Sequence, residues 1–211
     1  LQFNLQKKYD IKVIYFVLIA DYGVNDKNIS YTNRSFQLLI KRLADVAEVA
    51  VHPSFASSID EEKMIIEINR LEKILKREVK SSRQHFLQLS LPKTYRNLVR
   101  YGIQSDYTMG YASALGFRAS ISTPYTFYDL ETENALPIKV HPFAVMDATL
   151  MYYLKLNPDQ SLDRVKKLIS EVKKIDGEFI CVWHNETFSD FGDWKGWKQM
   201  YEEMLKSLNF L

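Results

Sequence analysis

Apolar residues along the chain follow a strand-like period in some stretches and a helical period in others. The run 11–20 is rich in Val, Ile, Tyr and Phe and predicts a buried strand. The run 48–52 predicts a second, shorter strand. Between them, an apolar stripe at helical spacing predicts an amphipathic helix, and its members are Phe36, Leu39, Ile40, Leu43 and Val46.

The rest of the chain continues this alternation. A capping box at residues 58–61 (Ser-Ile-Asp-Glu) predicts the start of the next helix, because the serine caps it and the glutamate reaches back. Pro92 and Gly102 suit the start and the stop of a later helix. The other strands are predicted at 80–86, 105–110, 116–121 and 178–184, and the other helices at 149–154, 162–175 and 197–208.

Repeated strand-helix units with short connections favour an α/β fold with a parallel sheet covered by helices. About six strands suit either an incomplete, distorted (β/α) barrel or a doubly wound sheet. No fixed repeat, low-complexity segment or linker divides the sequence, so we predict one domain over residues 1–211. The chain opens without a methionine, and we interpret it as N-terminally truncated, with a first strand missing upstream.

Charge and composition restrict the classes of partner. The 28 Lys and Arg residues against 26 Asp and Glu leave a net charge of +2 without a basic or acidic block, which gives a nucleic-acid or anionic-membrane partner no electrostatic support. The longest apolar run, 13–20, is far shorter than the ~20 residues of a membrane span. The single cysteine, Cys181, excludes an internal disulfide and is compatible with a reducing compartment, so we expect a cytoplasmic location.

The candidate functional residues stand where the predicted strands end. In parallel α/β architectures, sites lie at the carboxyl ends of strands. His52 ends one predicted strand, Arg83 and His85 lie near the end of another, Asp106 lies in a third and His184 closes the last. Histidine is the residue expected for zinc ligation or for proton transfer near neutral pH. We therefore expect three of the four histidines to gather around one mouth.

Each candidate also has a structural interpretation. Arg83 can pair with a surface carboxylate, and Asp106 can simply start a turn. His141, before Pro142, is expected to be structural, and Asp147 is expected to cap a helix. No histidine pair has the spacing of a His-Glu-x-x-His site, so a metal site would have to be assembled from distant strands. The sequence has no G-x-S-x-G elbow, phosphate-binding glycine loop or C-x-x-C pair, so serine-hydrolase, nucleotide and redox functions lack support.

Six short motifs stand in a fixed order along the chain: VHPSF at 51–55, SRQHFL at 82–87, DYTMGY at 106–111, GFRA at 116–119, VMDATL at 145–150 and WHN at 183–185. In this order they resemble a bacterial branch of the polysaccharide deacetylases of the NodB-homology type (carbohydrate esterase family four). The similarity covers about residues 11–208. It implies a distorted (β/α) barrel that removes N-acetyl or O-acetyl groups from sugars with a divalent metal, commonly zinc.

The resemblance implies roles for individual positions. His52 matches the first histidine of the family's metal motif, but the second histidine of that motif would fall at Ala56. His85 is predicted to replace it, beside Arg83, which matches the arginine of the next motif and would orient an ionised carboxylate. His184 matches the histidine that assists departure of the leaving group. The resemblance thus predicts His52 and His85 as metal ligands.

The family's first motif carries two aspartates, a general base and a metal ligand, and it would precede the strand at residue 11. No residue of this chain matches it. We predict metal-dependent, zinc-type deacetylation of an N-acetylated carbohydrate, with His184, Arg83 and Asp106 as catalytic residues. The alternative is a non-catalytic carbohydrate-binding or structural member of the same fold, which the missing aspartates and Ala56 favour. A different metal-dependent barrel hydrolase would need clustered ligands that the sequence lacks.

Overall fold

The structure, a computed structural model, describes residues 2–208. Strands and helices alternate over part of it, as the sequence predicts, but two helices follow one another within 55–75 and four strands within 105–146. In chain order they are α1 (Gln2–Tyr9), β1 (Ile14–Val17), α2 (Arg34–Ala44), β2 (Glu48–Val51), α3 (Phe55–Ile59), α4 (Glu61–Leu75), β3 (Ser81–Ser82), α5 (Lys93–Arg100), β4 (Ser105–Asp106), β5 (Tyr125–Asp129), β6 (Asn134–Val140), β7 (Val145–Met146), α6 (Pro158–Lys174), β8 (Cys181–Val182) and α7 (Trp197–Leu208). Single 3-10 turns span His85–Leu87, Asn185–Ser189 and Gly192–Trp194, and a π-helical turn spans Thr149–Tyr153.

The chain divides into two compact units, which we name after their sheets. The six-stranded unit comprises Lys12–Thr108 and Tyr125–His141. The two-stranded unit comprises Met109–Pro124 and, within the described residues, 2–11 and 142–208. The single domain inferred from the sequence stays a prediction.

The sheet of the six-stranded unit has the strand order β1-β2-β3-β4-β6-β5. All neighbouring strands pair in parallel except β5, which pairs antiparallel with β6. In β2, the three residues Val49, Ala50 and Val51 are all buried, as expected of a strand covered on both faces. Because β2, β3, β4 and β6 run parallel, the residues that follow them lie along one edge of the sheet.

Side-chain caps fix where the helices of this unit begin. Asn33 accepts the backbone N–H of Phe36 at 3.0 Å and starts α2. The capping box predicted at Ser58 is wrong, because Ser58 lies inside α3 and its hydroxyl donates to the carbonyl of Phe55. Asp60 caps α4 instead, accepting a backbone N–H of its first turn at 3.1 Å.

The two-stranded unit pairs β7 and β8 in parallel, with Val145 opposite Cys181 and Met146 opposite Val182. A full capping box between Asn157 and Gln160 starts α6. The apolar faces of α6 and α7 form the core of this unit, with Val165, Ile169, Trp197, Met200 and Met204 among its buried residues.

Two regions differ from the prediction. The strand predicted at 116–121 is wrong: this segment turns, with Gly116 at φ +100° and Ser120 at φ +56°. The antiparallel pair β5–β6 and the short strand β7 had no counterpart in the prediction. Within residues 2–208, no helix combines the length and the apolar character that a membrane crossing requires.

Candidate active site

Residues that carry chemistry follow four strands of the six-stranded unit, and backbone hydrogen bonds continue the sheet past the strand ends. The N–H of His52 donates to the last carbonyl of β1 at 3.0 Å, and that of Arg83 to the last carbonyl of β2 at 3.1 Å. The N–H of His141 donates to Asp106, the last residue of β4, at 2.8 Å. The sheet therefore fixes the backbone beneath each of these side chains.

His52 and His85 lie side by side at this edge. Their ring centroids are 5.0 Å apart, with ring planes inclined by 58°. The Nδ1 atom of His52 contacts the carbonyl oxygen of Arg83. The N–H of His85 donates to the carbonyl of Pro53 at 2.9 Å. The structure thus brings the two imidazoles together, while their role as metal ligands stays a prediction.

The cluster includes a carboxylate that the sequence reasoning missed, Asp26, from the loop after β1. Its Oδ1 lies 2.9 Å from Nδ1 of His85 and accepts the N–H of Phe55 at 2.8 Å. Its Oδ2 accepts the N–H of Ala56 at 3.0 Å. No motif marks Asp26, and the only signal in the sequence is its place in a polar loop after a predicted strand.

Asp26 is buried, and its electrostatic environment favours the ionised form. Burial by itself raises the pKa of Asp26, but the hydrogen bonds from His85, Phe55 and Ala56 outweigh it and hold that pKa below its ordinary value. An ionised carboxylate only accepts hydrogen bonds. A hydrogen bond from His85 to this carboxylate therefore requires a proton on Nδ1.

Asp106, predicted as catalytic, has no exposed surface. The hydroxyls of Ser82 and Thr108 donate to its Oδ2 at 2.7 and 2.8 Å, and the N–H of Thr108 donates to its Oδ1 at 3.0 Å. Burial raises the pKa of Asp106, and these hydrogen bonds oppose that effect. This environment favours a role in holding β3 and β4 together over contact with a substrate.

Two further side chains at this edge make aromatic contacts. The guanidinium of Arg83 lies 5.0 Å from the centroid of the Phe16 ring. The ring of His141 stacks on Tyr107, with centroids 4.4 Å apart and planes within 12°. His141 directly follows β6, a strand that the sequence analysis did not predict.

The turn that carries His85 exposes an aromatic ring. Phe86 has φ +55° and Leu87 φ +53°, a left-handed conformation that is uncommon outside glycine. The ring of Phe86 is 57% exposed, 4.4 Å from His85 and edge-on to Phe55 at 5.7 Å. Backbone strain of this kind is found at functional sites, where the surrounding structure maintains it.

His184 belongs to the two-stranded unit, where it pairs with Asp147. The buried Asp147 accepts the backbone N–H of His184 on Oδ2 at 2.6 Å, and its Oδ1 lies 2.6 Å from Nδ1 of the same residue. The prediction that Asp147 caps a helix is wrong: the following turn, Thr149–Tyr153, has Ala148 at its N-cap position and no side-chain cap. The parallel pairing of β7 with β8 explains the contact, since Asp147 and His184 follow those two strands.

Several solved structures share this architecture. A Mycobacterium smegmatis protein assigned as a polysaccharide deacetylase matches 98% of this chain and 68% of its own, with a TM-score of 0.65 and 14% identity. A Pseudomonas aeruginosa protein with the same assignment matches 97% of this chain and 64% of its own, with a TM-score of 0.61 and 12% identity. This chain has the polysaccharide deacetylase fold.

The α/β fold class predicted from the sequence is thereby confirmed as the NodB-like fold of carbohydrate esterase family four. A pseudoenzyme of that family from Bacillus anthracis matches 99% of this chain and 56% of its own, with a TM-score of 0.51 and 12% identity. No protein-family model and no curated protein matches the sequence. The chain thus spans between about half and two thirds of the length of these three deacetylase-fold proteins.

Two side chains at the sheet edge of this deacetylase fold, His52 and His85, have the chemistry of ligands for a divalent cation. In metal sites, a histidine ligand usually donates its other ring N–H to a carbonyl or carboxylate. The Arg83 carbonyl faces Nδ1 of His52 and the Asp26 carboxylate faces Nδ1 of His85, and both contacts match this arrangement. Among residues 2–208, no three His, Cys, Asp or Glu side chains are grouped closely enough to hold a metal ion by themselves.

Proposed function

We propose that this chain contributes to a metal-dependent carbohydrate deacetylase that hydrolyses N-acetyl groups. The proposal rests on His52 and His85, whose ring centroids lie 5.0 Å apart at the carboxyl edge of a parallel sheet. That sheet belongs to a chain with the polysaccharide deacetylase fold. Oriented imidazoles are the nitrogen ligands that zinc prefers. The proposed substrate is an acetylated carbohydrate and the proposed ion is zinc.

His52 and His85 would hold the divalent cation, with the remaining positions left to water, substrate or other groups. When bound, such a cation polarises an acyl carbonyl and lowers the pKa of water. The protein's part is to hold both rings in one protonation state and one direction. The Arg83 carbonyl does so for His52, and Asp26 does so for His85.

The Asp147–His184 pair is suited to proton transfer. Asp147 accepts from Nδ1 and from the backbone of His184, so the ring is fixed and Nε2 is the nitrogen that exchanges the proton. The side chain of His184 is 40% exposed, which leaves it accessible to a substrate. In the proposed reaction water adds to the acetyl carbon and loses a proton to solvent, the C–N bond of the acetamide breaks to release acetate, and His184 protonates the departing amine.

Arg83 and Asp106 keep supporting roles in this proposal. The backbone carbonyl of Arg83 orients His52, and its guanidinium is proposed to orient a carboxylate, as the family resemblance implies. Asp106 is proposed as a positioning residue, because its hydrogen bonds tie the ends of β3 and β4 beneath the candidate ligands.

Zinc binding tests the ligand assignment. Calorimetric titration with zinc should show binding by the protein and its loss in His52→Ala and in His85→Ala. His141→Ala is the matched control, because His141 follows a strand of the same sheet but stacks on Tyr107. If both single variants keep the zinc affinity of the unaltered protein, His52 and His85 are not the ligands and the metal proposal fails.

A non-catalytic carbohydrate-binding function is the second candidate, and Ala56 favours it. This residue stands where the family resemblance expects a histidine ligand, and it offers only its backbone N–H, to Asp26. Among the solved structures of this fold is a mutant pseudoenzyme with restored enzymatic activity, so catalytic and non-catalytic chains share the architecture. Incubation with N-acetylglucosamine oligomers separates the two: release of acetate supports the enzyme, and binding without release supports the alternative.

A further inference from the structure

We propose that Asp26 is a positioning residue that fixes His85 in its Nδ1–H tautomer and thereby aims Nε2 outward as a ligand nitrogen. The tautomer part stands on the geometry alone, whereas the ligand part rests on the proposed function. Three N–H groups converge on this carboxylate, from the His85 ring and from the backbones of Phe55 and Ala56.

The carboxylate of Asp26 is itself held in place, which a positioning residue requires. The carbonyl of Asp26 accepts the N–H of Gly23 at 2.9 Å within the loop after β1. The side-chain amide of Asn28 donates to the carbonyl of Ala20 at 2.9 Å and links the loop to the segment that follows that strand. Asp26 is only 3% exposed, so bulk solvent reaches little of its carboxylate.

Several contacts restrict the position of His85. Its backbone N–H donates to the Pro53 carbonyl, and the centroids of the His52 and Phe86 rings lie 5.0 and 4.4 Å from that of its own ring. These contacts restrict the position of the ring but do not choose which nitrogen carries the proton. The bond to Asp26 makes that choice, because both oxygens of this carboxylate already accept backbone N–H groups and Oδ1 faces Nδ1 of His85 as an acceptor.

The competing explanation is that Asp26 merely caps the short helix α3. That helix already has its own cap, since the hydroxyl of Ser54 accepts the N–H of Ser57 at 2.9 Å. A capping role predicts a loss of stability when Asp26 is changed. It predicts no change in the protonation of His85. The tautomer therefore separates the two roles.

The experiment is long-range proton–nitrogen NMR correlation on protein labelled with ¹⁵N-histidine, recorded above the ordinary imidazole pKa. His85→Ala and His141→Ala assign the signals. In the unaltered protein, His85 should show a protonated Nδ1 and an unprotonated Nε2. A protonated Nε2 or an even mixture of tautomers overturns the proposal, and this outcome needs no variant that changes Asp26.

Asp26→Asn supplies the second arm. Its amide has one accepting oxygen for the three N–H groups, so His85 should move towards a mixture of tautomers. Asp21→Asn is the matched control, because Asp21 lies in the same loop but is exposed and pairs with Arg70. An unchanged tautomer in Asp26→Asn, with native circular dichroism, overturns the proposal.

Zinc titration of the same proteins tests the ligand part separately. Asp26→Asn should weaken zinc affinity by about 10–100-fold, the effect usual for a group that orients a histidine ligand. Asp21→Asn should leave it unchanged. If the unaltered protein binds no zinc while the tautomer follows Asp26, the proposed metal function fails and the positioning role stands.

Discussion

Each unit of this protein pairs one histidine with one buried aspartate, but the two pairs are built differently. Asp147 and His184 follow neighbouring parallel strands, and Asp147 binds both the ring and the backbone of its partner. Asp26 comes from a loop, binds only the ring of His85, and uses its other bonds on the start of α3. The strand-held pair is fixed by sheet register, whereas the loop-held pair depends on the packing of three separate segments.

The difference suits the two proposed tasks. A proton donor must keep one ring direction and remain accessible, and the side chain of His184 is 40% exposed. A metal ligand must keep one nitrogen aimed at a fixed point, and His85 is only 23% exposed and is packed against His52. Removal of His184 should therefore lower the reaction rate, whereas removal of His85 should first abolish metal binding.

The largest expected effects, on the deacetylation rate and on zinc binding, come from replacing each histidine in turn. His184→Ala should lower the deacetylation rate by about 10²–10⁴-fold, because proton transfer to the leaving amine is lost, and it should leave zinc affinity unchanged. His85→Ala should abolish zinc binding first and activity as a consequence. Acetate release and zinc titration measure the two. Zinc binding that depends on His184 would reverse the assignment.

The next effect is on stability: Gly110→Ala should lower the unfolding free energy through the packing of Phe143, near the strand-held pair Asp147–His184. A Cβ at this position would lie 2.3 Å from the ring of Phe143, two residues before β7. Forcing extra volume into a packed site costs about 1–3 kcal/mol of unfolding free energy. Denaturant unfolding measures it, and Gly23→Ala is the control because nothing lies within 4 Å of a Cβ there. Equal stability of both variants would contradict the packing described for Phe143.

Glu67→Gln, close to the loop-held pair Asp26–His85, should change how the unfolding free energy of the protein depends on pH. Glu67 is buried against Ser54, and burial raises the pKa of Glu67 above its ordinary value despite the two hydrogen bonds from that serine. The folded state therefore holds this proton to a higher pH than the unfolded state. Stability from this group is complete below the unfolded pKa of about 4.3 and is lost as pH rises through the folded pKa.

The unaltered protein should thus lose stability relative to Glu67→Gln as the pH rises through that window. Urea unfolding at a series of pH values measures the difference. Glu62→Gln, on the exposed side of the same helix, serves as the control. A difference that grows in the opposite direction would contradict the burial of the Glu67 carboxyl.

The smallest effect concerns the thiol of Cys181, in the strand that leads to His184. Burial and the negative charge of Asp147 raise the pKa of Cys181 to about 12. Alkylation by iodoacetamide near neutral pH should therefore be slow until the protein unfolds. Asp147→Asn should accelerate it modestly, which reports the charge of the strand-held pair. Rapid labelling of the folded protein would contradict this environment. The cytoplasmic location expected from this single cysteine stays a prediction.

The sequence predicted the helices with strong apolar stripes well, because burial of one face dictates their period. The stripe from Phe36 onward became α2, and the stripe ending near residue 208 became α7. The position of His52 directly after β2 also followed from the strand pattern. Such features depend on neighbours in the sequence, and local reasoning is sufficient for them.

The pair β5–β6 escaped prediction for a local reason. Pro137 lies within β6, and proline disfavours a strand because it lacks an N–H. The structure accommodates it opposite an irregularity in the register, where Phe127 alone spans the gap between two paired stretches. Without this pair, the prediction did not place His141 at the end of a strand, directly after β6.

The partners of the two histidines escaped prediction for a different reason. Asp26 meets Ala56 and His85 only through the tertiary fold, and no spacing rule connects residues that far apart. Asp147 stood in a quoted motif, but a residue before a helical turn is most simply a cap. The pairing of β7 with β8, which gives it to His184, is a long-range contact.

The docking of α1 on α7 has a consequence for synthesis on the ribosome. Lys8 and Tyr9 both bind Glu202, nearly the whole chain away. A helix as short as Gln2–Tyr9 is not stable alone in water, so it needs that surface in order to form. The earliest translated segment described here therefore acquires its native structure only after α7 has left the exit tunnel, and until then its apolar residues are open to chaperones and proteases.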